Sequence, residues 1–412
     1  MHKFDWLIRG GHVIDPANGV DGILDVAIQG RHLAAVKGQI DPTNAENVYD
    51  ATGQLVVPGL VDLHVHGFHL ATPLGVDMDH YCLGRGVTTV VDAGSAGCNT
   101  LPAFRTFAAE RFQARMLGFL NISCLGLTIG SATILDEPGE LDLISLVNTG
   151  KCVTCVNTNR DLLVGVKVRL SDSIADNGRN EAEAYARATE AARTVKLPLM
   201  VHHSHSTVSM EDCPGKMIAG DIYTHCYHGF RSTIVDPESR KVLPVVRDAQ
   251  QRGVLFDIGH GMGAFNWTVV EICAAEDFWP DTISTDLHSL THEGPAYDLP
   301  TVMTRLLHVG MPLKDIIERT TVTPARAIGW ENRIGTLGVG READVAVLSC
   351  TDVDLELEDC QSQMRRIKQR LSAEAVWRAG RRCQITQPKC WPNPETIAEC
   401  RAMQQHLLVR DT

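Results

Sequence analysis

No apolar run in this sequence reaches the length needed to cross a bilayer, and no basic, apolar and small-residue leader pattern opens it. MHKFDWLIRG reads as a first strand instead, and a cytoplasmic location is expected. Positive charge is in deficit. Lys and Arg total 38 against 50 Asp and Glu, a formal net charge of −12. Neither nucleic acid nor an anionic membrane surface would be drawn to such a field. A disulfide framework is also missing: the 13 cysteines are odd in number and scattered from Cys82 to Cys400, as reduced thiols would be. Cys152 and Cys155 have redox or zinc spacing, but no second CxxC accompanies them, so they read as packing between a helix and a strand. There is no internal repeat or low-complexity tract. No glycine-rich phosphate turn follows an early strand, which disfavours a doubly wound nucleotide-binding sheet.

What is present suits a globular enzyme. With 412 residues and 44% hydrophobic content, the chain can build one large domain and one smaller one. Residues 4–57 alternate short strand-like runs with Gly and Pro turns, the pattern of a small antiparallel sheet. From residue 59 strands alternate with helical stretches. The candidate strands begin with GLVDLHVHG, VTTVVDAG (87–94), GFLNISCLGL (118–127) and LVGVKVRLS (163–171). PLMVHHSHS (198–206), DIYTHCYHG (221–229), GVLFDIGHG (253–261) and DTISTDLHS (281–289) follow. Helices are expected at 100–115, 180–196 (with Asn177 as a possible cap), 237–252 and 265–278. Eight strand–helix units are the count of a TIM (β/α)8 barrel. GTLGVGREADVAVL (335–348) and VWRAGRRC (376–383) then look like strands that rejoin the N-terminal sheet. The expected layout is a small β-sandwich domain from residues 1–57 and 338–385, an α/β barrel over 58–337, and a linker with a surface helix over 386–412.

The richest stretch chemically is VPGLVDLHVHGF, residues 57–68. Side chains alternate along a strand, so His64 and His66 share a face with Cα atoms ~6–7 Å apart, close enough for two imidazoles to reach one metal. Most of the 17 histidines recur in the same setting, at 64–69, 202–205, 225–228, 260 and 288–292. Active sites of such barrels lie at the carboxyl ends of the strands. His64, His66, Lys167, His202, His203, His205, His225, His228, His260, Asp286 and His288 all fall there. Nitrogen and oxygen donors converging from several strands are what a catalytic metal site needs. Lys167 is the unusual member, because a lysine inside VGVKVRL is costly to bury as an ion. It could form a Schiff base, sit in a structural salt bridge, or carry carbon dioxide as a carbamate that bridges two metals. The surrounding histidines favour the third.

These motifs together resemble the amidohydrolase superfamily, most closely its dihydroorotase-like, amidohydrolase/deacetylase branch. VPGLVDLHVHG, VGVKVRLS, PLMVH, DIYTHCYHG, FDIGHGMGAFNW, ISTDLH, TVTPARAIG and IGTLGVGREADVAVL carry the resemblance, which spans about residues 5–385. It implies a binuclear site for two divalent ions, usually zinc. His64, His66 and Asp286 would hold the more buried ion, and N6-carboxylated Lys167 would bridge to a second one completed by His202 and His225. Alternation alone leaves His202, His203 and His205 open, and the resemblance selects His202. His228 is expected on the rim.

The expected activity is hydrolysis of an amide or ester, with hydroxide made available at neutral pH by the metal pair and Asp286 acting as general base, then acid. Arg169, on the same face as Lys167, could clamp a substrate carboxylate or pair with a neighbouring acid, and His260 could touch substrate or make an internal hydrogen bond. Dihydroorotases typically show H-x-H-x-R, whereas here position 68 is Phe. That favours an N-acyl, O-acetyl or related small-molecule substrate over dihydroorotate. A dihydroorotase, a base deaminase of the same superfamily and a Schiff-base lyase using Lys167 are the alternatives. A homo-oligomer is the usual state of such soluble enzymes.

Overall fold

A computed structural model of the chain describes residues 2–130, 138–395, 398 and 402. Its centre is a seven-stranded parallel sheet in strict sequence order. The strands are β1 (Leu60–Val65), β2 (Val87–Gly97), β3 (Arg115–Asn121), β4 (Leu163–Leu170), β5 (Leu199–His203), β6 (Ile222–Thr224) and β7 (Leu255–Asp257). The eighth expected strand is present only as single parallel bridges. Thr282 pairs with Asp257 on one edge of the sheet and Leu287 with Val65 on the other. Backbone hydrogen bonds from Ile258 to Thr282, Gly261 to Thr285 and His66 to Leu287 reinforce them. Segment 282–287 therefore joins both edges of a curled, TIM-like sheet.

Alternation sorts the side chains. Val166, Val168, Val201, Tyr223 and Phe256 face the surrounding helices and pack with Ala188, Ala191, Ala192, Val246, Trp267 and Val270. Leu63, Val91, Phe119, Met200 and Ile222 form a second apolar cluster with Ala325, Ile328 and Ile334. Lys167, between two helix-facing valines, must point the other way.

The helices differ from expectation mainly at their ends. Residues 180–196 form Glu181–Val195, but Asn180 holds the cap position and Asn177 lies in a left-handed turn before it. The stretch 237–252 shortens to Pro244–Gln251, because Val235–Asp236 and Lys241–Val242 pair as a small hairpin. Residues 100–115 give only Leu101–Phe104 and a π-helical turn, Arg105–Ala109, and 265–278 gives Trp267–Ala275. Cys152 and Cys155 lie on helix Thr149–Thr158, and no disulfide joins the described cysteines to one another.

The second large sheet draws strands from both parts of the chain. Its order is Arg381–Cys383, Met364–Arg378, Val345–Glu358, Leu55–Pro58, Phe4–Asp15, Val20–Gln29 and His32–Lys37, with Ala45–Asp50 also paired to Phe4–Asp15. It is mixed rather than antiparallel. One edge of Phe4–Asp15 takes Val20–Gln29 in a hairpin, while Ala45–Asp50 and Leu55–Pro58 run parallel to its other edge. A hairpin satisfies only one edge of a strand, so the returning chain closes the other. One apolar cluster, including Ile8, Val13, Val26, Val56, Val345, Val347 and Trp377, unites strands from both parts.

Val345–Glu358 and Met364–Arg378 form a hairpin much longer than expected, and its tip reaches the parallel sheet's helices. There the Trp267 backbone N–H donates to Asp359 at 3.0 Å, and the Tyr297 hydroxyl donates to Glu358 at 2.6 Å. After it, Thr386 N–H donates to the Gly84 carbonyl and Asn393 N–H to the Tyr297 hydroxyl. Most of the expected terminal helix lies outside the described residues.

Candidate metal centre

Three donors meet where β1 ends. The Nε2 atoms of His64 and His66 lie 3.3 and 3.1 Å from Asp286 Oδ1, and the ligand atoms of the three residues fall within 4.8 Å of one another. Asp286 stands on segment 282–287, so the contact exists only because that segment bridges back to β1. Its backbone is left-handed (φ 48°), as is that of His225 (φ 70°). Non-glycine residues adopt this region at a cost of order 1–3 kcal/mol, and such outliers concentrate at functional sites.

The histidine rings form a chain. Centroids step from His66 to His64 by 5.7 Å, from His64 to His225 by 5.0 Å, and from His225 to His202 by 4.3 Å. Hydrogen bonds show which ring nitrogens are committed elsewhere. His225 Nδ1 faces the Gly259 carbonyl at 2.6 Å; a carbonyl only accepts, so Nδ1 carries the proton and Nε2 is left as the donor atom. His202 Nε2 is engaged by the Ser204 hydroxyl at 2.8 Å, leaving Nδ1. His66 Nδ1 meets Ser95 Oγ at 2.8 Å and His64 Nδ1 meets Thr224 Oγ1 at 2.9 Å, so both direct Nε2 toward Asp286. This is the usual arrangement behind metal-binding imidazoles.

Lys167 is fully buried, and its Nζ has no hydrogen-bond partner among the described residues. Burial pushes its pKa down to about 7, so the neutral amine is well populated at physiological pH. Burial likewise lowers His225 to about 4 and holds His64 and His202 well below the usual histidine value. For Asp286 burial acts upward, but His64 and His66 outweigh it and keep the carboxyl well below the normal range. Neutral imidazoles, an ionised carboxylate and an amine without a partner are the donor states a divalent cation requires.

Two glycines make room for this packing. A Cβ on Gly261 would lie 2.4 Å from Asp286 Oδ2, and one on Gly259 would lie 2.9 Å from His225 Nδ1 and 3.1 Å from His64 Nδ1. Both have left-handed backbones.

Other sequence candidates have different surroundings. Arg169 forks onto Glu140, with Nε–Oε1 at 2.5 Å and Nη2–Oε2 at 2.7 Å, and both side chains are buried. His260 is buried, with Nδ1 3.0 Å from the Gly261 carbonyl and Nε2 unpartnered. His203 lies between the Tyr223 hydroxyl and the Val208 carbonyl. His228 is not on the rim: it is fully buried and bonds the His203 carbonyl, because the chain after β6 turns inward over β5. His205 packs on Phe230. Glu140, Ser95, Thr224 and Asp257 escaped the sequence reading. Ser95, Thr224 and Asp257 carried only the signal of a polar residue near a strand end, which is common, and Glu140 lies in a loop without even that.

The amidohydrolase family model matches residues 55–383. The chain belongs to the amidohydrolase family. Among relatives of this amidohydrolase, a deacetylase of Agrobacterium fabrum (strain C58) is 33% identical over 339 residues, covering 82% of this chain and 80% of that protein. A deacetylase of Enterococcus faecalis (strain V583) is 30% identical over 370 residues, covering 89% and 96%. Among solved structures, a dihydroorotase superposes with a TM-score of 0.84 at 30% identity, covering 93% of this chain and all of that one. An adenine deaminase superposes with a TM-score of 0.82 at 29% identity, covering 92% and 100%.

Proposed function

We propose that this amidohydrolase removes an acyl group, such as acetyl, from a small N-acyl or O-acyl substrate at a binuclear site. His64, His66 and Asp286 would hold one divalent ion. Lys167, carboxylated on Nζ, would be shared with a second ion completed by His202 Nδ1 and His225 Nε2. Zinc suits this nitrogen and oxygen donor set. The observation that carries the reading is the partnerless Lys167 amine beside the His64–His66–Asp286 cluster. An amine of that kind, neutral near pH 7, can take up carbon dioxide and become a carboxylate. We further propose that 58–337 forms a closed eight-stranded barrel, a reading supported by the bridges of segment 282–287 to both sheet edges, and that 1–57 and 338–385 form a sandwich-like unit, supported by the sheet they share.

When bound, the ions supply Lewis acidity and lower the pKa of water. The chain supplies positioning and proton transfer. Asp286, held ionised, is suited to accept the proton of the attacking water and pass it to the leaving nitrogen or oxygen. The buried Arg169–Glu140 pair offers the guanidinium edge not engaged by Glu140 for orienting a substrate carboxylate, and the unpartnered Nε2 of His260 offers an acceptor.

Two findings favour acyl hydrolysis over dihydroorotate. Phe68 is buried and stacked edge-on against Phe104 at 5.3 Å, so position 68 contributes no charge. The two relatives described above, matched over most of their length, are deacetylases.

Metal analysis of the native protein, native mass spectrometry for a carbamate on Lys167, and a turnover screen test the proposal. The screen covers N-acyl amino acids, acyl hydroxy acids, dihydroorotate and adenine. Two metals and acyl hydrolysis are expected. Turnover of dihydroorotate or adenine alone would replace the substrate assignment. Borohydride trapping of Lys167 with no sensitivity to chelators would point to Schiff-base chemistry instead.

A further inference from the structure

Behind the histidines lies a carboxylate that hydrogen-bonds none of the candidate ligands directly. Asp257, the last residue of β7, is fully buried and surrounded by hydroxyls. Thr224 Oγ1 and Ser284 Oγ each donate to its Oδ2 at 2.7 Å, and Thr282 Oγ1 donates to Oδ1 at 2.6 Å. A hydroxyl has one proton and a carboxylate only accepts, so the three protons all point at Asp257. The Thr224 and Ser284 oxygens then face their other neighbours as acceptors.

For Thr224 that neighbour is His64 Nδ1 at 2.9 Å. For Ser284 it is the Gly259 N–H at 2.9 Å. Gly259, pinned by that bond, turns its own carbonyl onto His225 Nδ1 at 2.6 Å. Asp257 Oδ2 itself is 3.8 Å from His64 Nδ1, beyond hydrogen-bond reach, so its influence passes through the hydroxyls. Gly259 can serve because it lacks a side chain; a Cβ there would come within 2.4 Å of Thr224 Oγ1 and close to both imidazoles.

We propose that Asp257 is a positioning residue that fixes His64 and His225, one candidate ligand from each half of the binuclear site, as Nδ1–H tautomers through two separate relays. One runs through Thr224. The other runs through Ser284 and the backbone of Gly259. A single buried acid thus presents Nε2 of both rings toward the site, whichever small molecule is hydrolysed. The metal readout rests on the function proposed above, whereas the tautomers rest on the protein alone.

The test pairs nitrogen-15 NMR of the histidines in the metal-free protein with competition against a chelator to measure each zinc affinity. Wild type should show both His64 and His225 protonated at Nδ1. Thr224→Val should loosen the His64 tautomer and weaken one zinc site on the order of 10-fold, with the other unchanged. Ser284→Ala should weaken the opposite site. Asp257→Asn should weaken both by about 10- to 100-fold, and Thr224→Ser, which keeps the hydroxyl, should behave as wild type. Protonation of either ring at Nε2 in the wild type would overturn the proposal without recourse to any variant. So would wild-type tautomers and affinities in Thr224→Val and Ser284→Ala. Failure of wild type to bind zinc would remove the binuclear reading, while the tautomers still decide the relay.

Discussion

Replacing Gly261 with alanine isolates the placement of Asp286 from its chemistry. The added Cβ would sit 2.4 Å from Asp286 Oδ2, 3.3 Å from its Cγ and 3.5 Å from its Cβ. Relief to an ordinary contact requires the carboxylate to withdraw by about 1 Å, and a misplacement of that size at a reacting centre costs on the order of 100-fold in rate. The backbone at Gly261 (φ +49°) adds a left-handed penalty of roughly 1–2 kcal/mol for any residue with a Cβ. Gly30 separates the two effects. Its φ is +57°, nearly the same, but a Cβ there meets nothing within 4 Å, and it lies in the other sheet between Val20–Gln29 and His32–Lys37. Gly30→Ala should lose similar stability and keep full hydrolysis of an N-acyl amino acid. Gly261→Ala should lose about 100-fold in kcat/KM. Urea unfolding and steady-state kinetics on both variants read the outcome. Equal activity in the two variants would mean that Asp286 tolerates displacement, and its assigned role would be wrong.

Three further outcomes are expected. Lys167→Ala should reduce bound metal from two equivalents to one or fewer and slow hydrolysis on the order of 1000-fold, with partial recovery in acetate or formate, measured by metal analysis and kinetics; retention of two ions would exclude the carbamate. Acidification should destabilise the protein in a window set by buried histidines. Burial lowers His203 to about 4, while in the unfolded chain it titrates near 6.5. The unfolded state therefore binds more protons below pH 6.5, and stability falls from there down to about pH 4 by roughly 3 kcal/mol from this residue. His203→Gln should flatten that slope in urea titrations, and an unchanged slope would contradict it. Glu140→Gln should destabilise by about 3–5 kcal/mol, because it leaves the Arg169 guanidinium buried without its ionic partner; unaltered unfolding would show that the pair is not a structural requirement.

The parallel sheet was legible because its signal is local. Apolar runs of strand length with histidines, glycines or an acid at their carboxyl ends announce β1 to β7 without any contact information. The long hairpin Val345–Glu358 and Met364–Arg378 was not legible beyond its ends. Its middle, DVDLELE and RRIKQRL, carries charged residues on exposed positions, and only the partner strand and the parallel sheet beneath its tip give that stretch a fixed form. The pairing direction of Ala45–Asp50 was hidden for a related reason, since periodicity reports which face a residue takes and not which edge its strand joins.

The same division holds at the site. Sequence by itself determined which residue types stand at the strand ends: His64, His66, Lys167, His202, His225 and Asp286 follow from period-two alternation and from motifs resembling a family. Tertiary structure decided what those residues meet. It bonded Arg169 to Glu140, enclosed His203 and His228 as internal hydrogen-bonding groups, and left Lys167 Nζ without a partner. It also gathered Thr224, Thr282 and Ser284 around Asp257, from strands far apart in the chain. Donor identity is a property of one residue, and a pattern can carry it. Ring tautomer, protonation and ion pairing depend on what lies within about 3 Å after folding, and only the curled sheet brings those neighbours together.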